Sequence, residues 1–395
     1  MALIDPRSVL ITGFGVRSAF GTGSEPLMAN VFNGVPGFRP VTRFDSTSFR
    51  TDLAAFTDDT PSQREALIEC ASAALQMSGL SEAAPGATLV GTAGDFSPIT
   101  AFWAAANGAD DDDRQPGAVQ APLANRLEET LPAMLVDTLA RFCGLDGPQL
   151  AFTNGCVASS NAIIHGCRLI RAGRQDIAVC GGVYLVEQEF FAKFNAGRAF
   201  SRDGRLRPFS AGRSGLLLGD GAAVLVLESA ERVARRGGLP LAQISGWGMA
   251  SDAYHVCKPH PSGLGIAAAA DQAVRLAGID SVDYINAHGT STELNDKAET
   301  AAIKRAFGAG CNIPISSTKA STGHTLEASG ALETVLSLLA ISNSVIPPTG
   351  GYLGRDDECD LDYVTTGPRE QPLKNVLSVN AAFGGANSAL VLSSV

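Results

Sequence analysis

The segment AFTNGCVASSNAIIHG (residues 151–166) places one cysteine, Cys156, between a short apolar run and a stretch of small residues. The apolar run predicts a strand and the small residues predict a helix, so the thiol is expected at a helix N-terminus. The helix dipole and the free N–H groups at such a position favour a thiolate, the nucleophilic form of cysteine. A buried cysteine more often serves as a small apolar side chain, and this segment alone leaves that role open.

Two of the five histidines stand in surroundings that resemble each other. His288 lies in NAHGTST and His324 in STGHTLEASG, so each follows a predicted strand and has glycine and threonine nearby. Lys319 precedes His324 by five residues. A soft nucleophile, two imidazoles and backbone donors for an oxyanion are the groups that acyl transfer requires. The glycine-rich turn in AFGGAN (382–387) could supply such a donor, because backbone N–H groups in these turns can face a ligand.

Strands and helices alternate along the chain, which predicts an α/β fold with mixed sheets. Strands are predicted over 8–12, 87–92, 148–153, 176–182, 221–229, 241–250, 284–290 and 314–319, and two more surround the glycine pair near the C-terminus. Helices are predicted over 63–79, 132–142, 158–172, 230–236, 266–277, 293–307 and 328–342. Two halves of similar element order are expected, residues 1–236 with Cys156 and residues 237–395 with both histidines and Lys319.

Composition narrows the class of protein. Apolar residues make up 45% of the chain and charged residues 18%, which is typical of a globular protein with a large core. The net charge of −10 argues against nucleic acid as a general partner. The start of the chain has no basic segment followed by a long apolar one, and no run of eighteen apolar residues occurs. We therefore expect a cytoplasmic protein that does not contact membranes.

Patterns that would indicate a cofactor or a metal are weak. The eight cysteines include no C-x-x-C pair, so zinc and thioredoxin-like sites are disfavoured. Gly13 and Gly15 in GFGVRSAFG resemble the start of a dinucleotide fingerprint, but Ser18 replaces its third glycine. No acidic residue closes a second strand about 20 residues later, so we do not expect that site. The acidic run at 110–113 predicts a solvated loop rather than a metal site.

Seven motifs in one order resemble the β-ketoacyl synthases of the thiolase-like superfamily, which elongate acyl chains in fatty acid and polyketide synthesis. The motifs cover nearly the whole chain and are SVLITGFGVRSAFGTG, GLDGPQLAFTNGCVASSNAI, RPFSAGRSGLLLGDGAAVLVLE, SDAYHVCKPHPSGLG, INAHGTSTELND, STKASTGHTLEASG and NAAFGGANSALVL. The resemblance implies a thiolase-like fold, in which two similar α/β halves form a layered αβαβα core. It also implies a decarboxylative Claisen condensation between an acyl group and a malonyl thioester.

The resemblance assigns roles to residues of this chain. Cys156 would take the acyl group, and His288 and His324 would bind the malonyl thioester, promote its decarboxylation and stabilise the enolate. Lys319, paired with Glu333, would hold the surroundings of the second histidine in place.

Further roles concern the acyl carbonyl and the access to the nucleophile. The N–H groups of Cys156 and Phe383 would form the oxyanion hole, and Phe383 with Gly384 would gate access to the thiol. Thr290 and Thr292 would contact the substrate. No metal and no separate cofactor are implied, because the acyl groups travel on the phosphopantetheine arm of an acyl carrier protein.

Partners follow from the resemblance and from charge. The family forms dimers, so we expect either a homodimer or a heterodimer with a subunit similar to a chain-length factor. The region before Cys156 is expected near the dimer contact. An acidic carrier would need a basic patch on this acidic chain, and the segment GRAFSRDGRLRPF offers four arginines, Arg198, Arg202, Arg205 and Arg207. Ordinary ion pairs with Asp203 and Asp220 are the alternative interpretation of these arginines.

Some positions depart from the family pattern. Asn154 and Gly155 replace the usual residues before the nucleophile, Glu327 stands where elongating enzymes often have glycine, and Ala382 precedes Phe383. The stretch 96–117 also differs from the usual pocket sequence. These departures concern the shape of the substrate more than the reaction.

Two other functions stay open at the level of sequence. An acyltransferase of the same fold could join an acyl group to an amine or alcohol without decarboxylation. A non-catalytic partner subunit would lack the cysteine, so the presence of Cys156 weighs against that reading.

Overall fold

A mixed β-sheet forms the centre of the fold in the computed structural model, which describes residues 5–80, 85–108 and 128–395. The strands are β1 (Val9–Ser18), β2 (Gly21–Thr22), β3 (Phe38–Pro40), β4 (Leu53–Ala55), β5 (Ala87–Gly91), β6 (Gln149–Phe152), β7 (Ile177–Tyr184), β8 (Gly221–Ser229), β9 (Ala242–Ser251), β10 (Tyr284–Asn286), β11 (Ile315–Ser316), β12 (Val345–Ile346), β13 (Arg369–Glu370), β14 (Asn375–Ala381) and β15 (Ala386–Ser393).

Helices cover the outer faces of this sheet, and two further helices lie in the middle layer of the fold. The helices are α1 (Ser24–Val31), α2 (Gln63–Ser78), α3 (Ser97–Gly108), α4 (Pro132–Cys143), α5 (Ala158–Arg171), α6 (Gln188–Ala196), α7 (Ala230–Arg236), α8 (Leu264–Ala277), α9 (Glu293–Phe307), α10 (Lys319–Thr322) and α11 (Ser329–Asn343). None of the described helices is long and apolar enough to cross a membrane. The acidic run at 110–113 lies outside the described residues.

The strand order shows two halves with the same topology. The described part of the sheet runs β11-β10-β14-β15-β9-β1-β8-β7-β5-β6, and β2 pairs with the end of β1. In each half, counted inward from its outer edge, two parallel pairings are followed by two antiparallel ones. Strands β1 and β9 pair at the centre and join the halves. Two similar α/β halves were predicted and are confirmed, while the boundary at residue 236 stays a prediction.

Two helices lie at the centre of the layers. Helix α5 packs on β5 and β7 of one half, helix α11 packs on β14 and β8, and the two helices contact each other. Helix α11 is buried from Ser329 to Ile341, because its own residues are mostly apolar or small on every side of the helix. Helices α2 and α4 cover the outer face of the first half, and α8 and α9 cover that of the second. This gives the expected αβαβα layering.

Strand β1 is longer than predicted, and its glycines explain why. Residues Gly13 and Gly15 lie inside the strand, which continues to Ser18. A Cβ atom at Gly15 would stand 1.9 Å from the carbonyl oxygen of Cys70 in α2. The glycines therefore allow close packing of a helix on the strand and do not form a nucleotide-binding turn.

The segment around Lys319 is the other notable difference. A strand was predicted over 314–319, but β11 ends at Ser316 and Lys319 opens the single-turn helix α10. Helices α1 and α6 and the hairpin of β3 and β4 were not predicted, because these elements are short and carry little periodic signal. Most of the other predicted elements have observed bounds within two residues of the prediction.

Replacing Gly15 with alanine tests the close packing of α2 on β1. The added methyl group has no room beside the Cys70 carbonyl, so we expect Gly15→Ala to lower the free energy of unfolding by about 1–3 kcal/mol. Gly310→Ala is the matched control, because nothing lies within 4 Å of a Cβ atom there. Thermal unfolding of both variants measures the effect, and equal melting temperatures would contradict the packing argument.

Candidate active site

Cys156 lies in a tight turn between β6 and α5. The strand ends at Phe152, and a 3₁₀ turn over Gly155–Val157 leads directly into the helix. Gly155 has a φ of +66°, a conformation that glycine adopts without strain. The side chain of Cys156 is buried. The structure thus places the thiol between a strand and a helix, as the sequence predicted.

His324 contacts the thiol directly. Its Nε2 lies 3.1 Å from Cys156 Sγ, and its Nδ1 lies 3.2 Å from the hydroxyl of Ser329. The backbone of His324 is fixed on both sides, because its N–H donates to the Leu217 carbonyl at 2.8 Å and its carbonyl accepts from Gly219 N at 3.0 Å. The imidazole is therefore held between the nucleophile and the first residue of α11.

His288 completes a cluster of three groups. It follows β10, and two hydrogen bonds hold its loop in place. The N–H groups of His288 and Gly289 donate to the carboxylate of Glu299 at 2.7 and 2.8 Å. The rings of His288 and His324 meet edge to face with centroids 5.3 Å apart. The donor atoms of both rings and the thiol all lie within 4.8 Å of one another.

A buried ion pair lies behind the two imidazoles. Lys319 is 1% exposed, and its ammonium group donates to the carboxylate of Glu333. The second oxygen of Glu333 accepts from Asn380 Nδ2 at 2.5 Å. A buried ammonium group is stable only when it is paired in this way. The structure therefore joins Lys319 with Glu333, as the sequence resemblance implied.

Burial and Lys319 set the protonation of the cluster. Burial, with the Lys319 charge next, holds the pKa of His288 well below its usual range, and the same causes act on His324. Both imidazoles are therefore neutral at pH 7. Burial raises the pKa of the Cys156 thiol to about 12, so the resting form is the thiol. The expectation that the helix N-terminus favours a thiolate is wrong here, because desolvation outweighs the dipole.

The three donor atoms are also of the kinds that bind zinc. The Lys319 ammonium acts electrostatically on the thiol and on both imidazoles, so it disfavours a divalent cation among them. A metal would further require the thiolate, which burial makes costly. The cluster fits acid–base and nucleophilic chemistry better than metal binding.

A cavity of about 270 Å³ connects the cluster with the surface. Phe383 stands at its mouth, 56% exposed, and stacks on Phe194 with ring centroids 6.0 Å apart. Thr290 and Thr292 line the same cavity, and their hydroxyl groups are 2.9 Å apart. The predicted gate and both predicted substrate-contacting threonines thus face one cavity.

Two short 3₁₀ segments contribute residues to the cavity lining. Cys156 and Phe383 both line the cavity, and both lie in the first turn of short 3₁₀ segments, where N–H groups have no acceptor inside the segment. The N–H of Gly384, in contrast, donates to the Val256 carbonyl at 2.8 Å. Gly384 therefore supplies a turn with φ of +85° rather than a free donor.

The four predicted docking arginines differ in accessibility. Arg198 and Arg202 are exposed and line the mouth of the cavity, and Arg205 is exposed beside them. Arg207 is 5% exposed and donates to Asp203 at 2.5 Å and to the Gly212 carbonyl. Because it is buried and paired, the prediction that Arg207 contacts a carrier is wrong.

The alternative interpretation of the arginine segment holds in part. Asp203 pairs with Arg207 as expected, but Asp220 pairs with Arg43 instead. Among the described residues, no carboxylate forms an ion pair with Arg198, Arg202 or Arg205, so their charges face outward.

Four residues of the site were missed at the level of sequence: Glu299, Ser329, Asn380 and Phe194. Glu299 and Asp296 stand three residues apart on the helix after the His288 loop, and burial raises the pKa of Glu299 to about 7. That spacing is ordinary for a solvated helix face, so only the fold shows that both carboxylates are buried. For Ser329 and Asn380 the sequence carries no comparable signal.

Glu327, one of the departures from the family pattern, lies beside the nucleophile. It is 4% exposed, and burial raises the pKa of its carboxyl to about 7. Its charge acts on the Cys156 thiol and raises the pKa of that group further. Glu327 thus places a titratable carboxyl close enough to act on the reacting sulfur.

The comparisons with known proteins agree with this geometry. The family model described as Beta-ketoacyl synthase, N-terminal domain, matches residues 43–232, and the corresponding C-terminal domain matches residues 241–352. The chain belongs to the β-ketoacyl synthase family. The family expected from the sequence motifs is thereby confirmed, and the chain is an acyl-transferring condensing enzyme of the thiolase-like fold.

Relatives in this family include a polyketide synthase subunit and a 3-oxoacyl-acyl-carrier-protein synthase. The tetracenomycin polyketide synthase ketoacyl synthase alpha subunit of Streptomyces glaucescens is 35% identical, and the match covers 98% of this chain and 97% of that protein. The 3-oxoacyl-acyl-carrier-protein synthase 2 of Coxiella burnetii is 34% identical, with coverage of 99% and 100%.

Two solved structures show the same arrangement of the whole chain. The ishigamide ketosynthase/chain length factor superposes with a TM-score of 0.90 at 32% identity, over 98% of this chain and 99% of that chain. A type II polyketide synthase acyl carrier protein in complex with its ketosynthase gives 0.89 at 27% identity, with coverage of 99% and 100%.

The raised pKa of Glu327 makes a pH dependence of stability testable. The pKa rises from 4.5 to about 7 on folding, so the folded chain binds this proton more tightly than the unfolded chain does. Its stabilising effect is complete below pH 4.5 and is lost as the pH rises through about 7. We expect Glu327→Gln to remove this loss, which amounts to at most about 3 kcal/mol.

Urea unfolding of both proteins between pH 4 and pH 8 measures the difference. The other buried carboxyl groups are common to both proteins, so they cancel in the comparison. Parallel stability curves for wild type and Glu327→Gln would show that Glu327 keeps an ordinary pKa.

Proposed function

We propose that this β-ketoacyl synthase condenses an acyl group held on Cys156 with a malonyl group carried by an acyl carrier protein. One observation carries the proposal: the thiol and two neutral imidazoles meet within 4.8 Å at the end of a cavity open to the surface. The reaction releases carbon dioxide and forms a carbon–carbon bond. The product is a β-ketoacyl group on the carrier.

The first step is acyl loading. The thiol of Cys156 attacks the carrier thioester while Nε2 of His324, 3.1 Å away, accepts its proton. The N–H groups of Cys156 and Phe383, two residues that line the cavity, would donate to the carbonyl oxygen and stabilise its negative charge. The carrier thiol then leaves with the proton, and His324 returns to its neutral form.

The second step is decarboxylation of the malonyl thioester. The bond between its carboxylate and the adjacent carbon breaks, and the electrons move into an enolate. Hydrogen bonds from His288 and His324 to the thioester oxygen would stabilise this charge. For this step His324 carries its proton on Nε2, and its Nδ1 accepts from the Ser329 hydroxyl. The nearby Lys319 ammonium acts in the same direction. The enolate carbon then attacks the acyl carbonyl, the bond to Cys156 breaks, and the thiolate takes up a proton from solvent to restore the thiol.

The neutral state of the imidazoles suits this chemistry. A neutral imidazole still carries one N–H and can donate it to the developing oxyanion without a metal ion. Because Lys319 and burial keep both pKa values low, neither ring takes up a proton at neutral pH. No separate cofactor is required, since phosphopantetheine of the carrier supplies the thioester.

Carbon dioxide release from malonyl carrier protein tests the reaction. We expect the wild type to release it in the presence of an acyl donor, and His288→Asn and His324→Asn to slow release by roughly 10²–10³-fold because oxyanion donors are lost. Cys156→Ala should form no acyl adduct by intact-protein mass measurement. Cys167→Ala, Cys180→Ala and Cys257→Ser are the controls and should keep the adduct.

Two outcomes would contradict the assignment. Adducts that persist in Cys156→Ala would show that another residue carries the acyl group. Acyl transfer to an amine or alcohol without carbon dioxide release would replace condensation by the acyltransferase alternative.

We further propose that the enzyme acts as a dimer, in the cytoplasm. Strand β6 lies at the edge of the sheet, and its residues Gln149, Leu150 and Ala151 are exposed, so its backbone can pair with a second chain. The ishigamide structure contains a ketosynthase with a chain length factor, which supports either a second copy or such a subunit as the partner. The eight cysteines are all free, which favours a reducing compartment.

The carrier is proposed to dock at the mouth of the cavity, where Arg198, Arg202 and Arg205 are exposed. Their outward charges would attract the acidic carrier and the phosphate of its arm. We expect Arg202→Glu with Arg205→Glu to slow transfer from carrier-bound donors and to flatten the salt dependence. Transfer from a small thioester without the carrier should stay near the wild-type rate.

Arg275→Glu with Arg305→Glu is the matched control. These exposed arginines stand in the last turns of α8 and α9, away from the cavity lining, so this charge reversal should leave carrier transfer unchanged. Equal loss with the carrier and with the small thioester in the Arg202 and Arg205 variant would assign these arginines to the fold instead of to docking.

A further inference from the structure

Three buried polar atoms near the nucleophile have no hydrogen-bond partner among the described residues: Tyr184 Oη, Glu187 Oε1 and Glu327 Oε2. The three side chains are 1%, 8% and 4% exposed, respectively. A buried polar atom without a partner destabilises the fold. Three such atoms in one region indicate that a bound group pairs with them.

The three side chains share one region beside Cys156. A Cβ atom at Gly182 in β7 would lie 2.9 Å from the Glu327 carbonyl oxygen, so this strand packs directly on the turn that holds Glu327. Tyr184 is two residues further and therefore lies on the same face of the strand. The charge of Glu327 acts on Tyr184, on Glu187 and on the Cys156 thiol.

An acyl chain on Cys156 is expected to extend into this region. A carrier arm that enters through the cavity from the surface would fill that side of the thiol and leave the buried side for the acyl chain. Cys156 itself belongs to a cluster of buried side chains that also contains Tyr184, Phe191, Phe200 and Leu326. The unpaired polar atoms are thus set in otherwise apolar surroundings.

Aromatic rings and one ammonium group lie next to Tyr184 and Glu187. The rings of Tyr184 and Phe190 meet edge to face at 5.6 Å. Lys193 Nζ lies 4.7 Å from the centre of the Phe190 ring and 5.1 Å from that of Phe96. The Phe96 N–H donates to the other oxygen of Glu187 at 3.1 Å, which leaves one Glu187 oxygen unpaired.

We propose that Tyr184, Glu187 and Glu327 form a polar wall of the acyl-binding channel that selects acyl chains bearing a hydroxyl or keto oxygen over saturated alkyl chains. The inference rests on the proposed ketosynthase function and names its substrate class. A saturated chain would leave the three polar atoms unpaired, whereas an oxygenated chain can pair with them. Glycine, common at position 327 in the enzymes this chain resembles, would supply no such group.

The protonation of the wall matches an oxygen ligand. Burial raises the pKa of Glu187 to about 9 and that of Glu327 to about 7. Glu187 therefore keeps its proton at neutral pH and Glu327 keeps it in part, so both can donate to a keto oxygen or a hydroxyl. A neutral wall also leaves the Cys156 thiol free of a strong opposing charge.

Acyl loading of Cys156 from small thioester donors tests the selection without the carrier. In this step the bond between Sγ and the acyl carbon forms, the donor S–C bond breaks, and the thiol proton leaves with the donor thiol. Octanoyl, 3-hydroxyoctanoyl and 3-oxooctanoyl thioesters of N-acetylcysteamine are compared by kcat/KM, with intact-protein mass as the readout. We expect wild type to prefer the oxygenated donors.

Variants assign that preference to the wall. Tyr184→Phe and Glu327→Gly each remove hydrogen-bonding atoms, so the ratio of oxygenated to octanoyl kcat/KM should fall about tenfold. Glu327→Gln keeps the shape and a donor and should retain part of the ratio. Glu231→Gln, an exposed carboxylate on α7, is the control and should leave the ratio unchanged.

Each outcome has a separate meaning. Equal kcat/KM for all three donors in wild type, or equal losses for all donors in Tyr184→Phe and Glu327→Gly, would overturn the selection while leaving the condensing function intact. No adduct on Cys156 with any donor, together with no carbon dioxide release, would overturn the proposed function and this inference with it.

Discussion

The two central helices approach each other so closely that their first turns touch, and the active site depends on this contact. A Cβ atom at Gly330 in α11 would lie 2.5 Å from the backbone nitrogen of Ser160 in α5. The Ser159 hydroxyl also accepts the N–H of Ala331 at 3.0 Å, which fixes the position of one helix along the other. Because the nucleophile and its imidazole partner each stand just before one of these helices, the contact sets the 3.1 Å distance between sulfur and nitrogen.

Burial brings these groups together and also determines their charges. The Lys319 ammonium is buried against Glu333, whose other oxygen accepts from Asn380, and its field acts on the groups nearby. The Lys319 charge disfavours a proton on either imidazole but stabilises the Cys156 thiolate. These two effects on proton transfer from the thiol to the imidazole partly cancel each other. An oxyanion or enolate gains from the same field, which the charges of Glu327 and Glu333 oppose in part. The ammonium therefore stabilises the charged stages of the reaction more than the resting state.

The sequence predicted the topology of two similar halves and the meeting of Cys156, His288 and His324, because motif order and strand-end placement carry this information. It predicted strand 221–229 and helix 293–307 with their observed bounds, since both have strong patterns. The strand predicted at residues 8–12 was shorter than β1, because glycine in a sequence favours a turn. Only the fold shows that these glycines let helix α2 pack closely on the strand. Glu299 was missed for a related reason: a helical carboxylate reads as a solvated one until the packing of the loop above it is known.

The two ends of the site differ in their contact with water, and the polar groups at each end differ accordingly. Charges at the mouth, such as Arg198 and Arg202, stay in contact with water, where an ionised group costs little and can act over distance. Behind the nucleophile the polar groups are carboxyls and a phenol, and burial drives them toward their neutral forms. An ionised Glu327 beside Cys156 would oppose the thiolate that forms during loading. Polar recognition next to the reacting sulfur is therefore compatible with catalysis when it relies on neutral hydrogen-bonding groups. Tyr184 and Glu187 meet that condition at neutral pH, and Glu327 meets it in part.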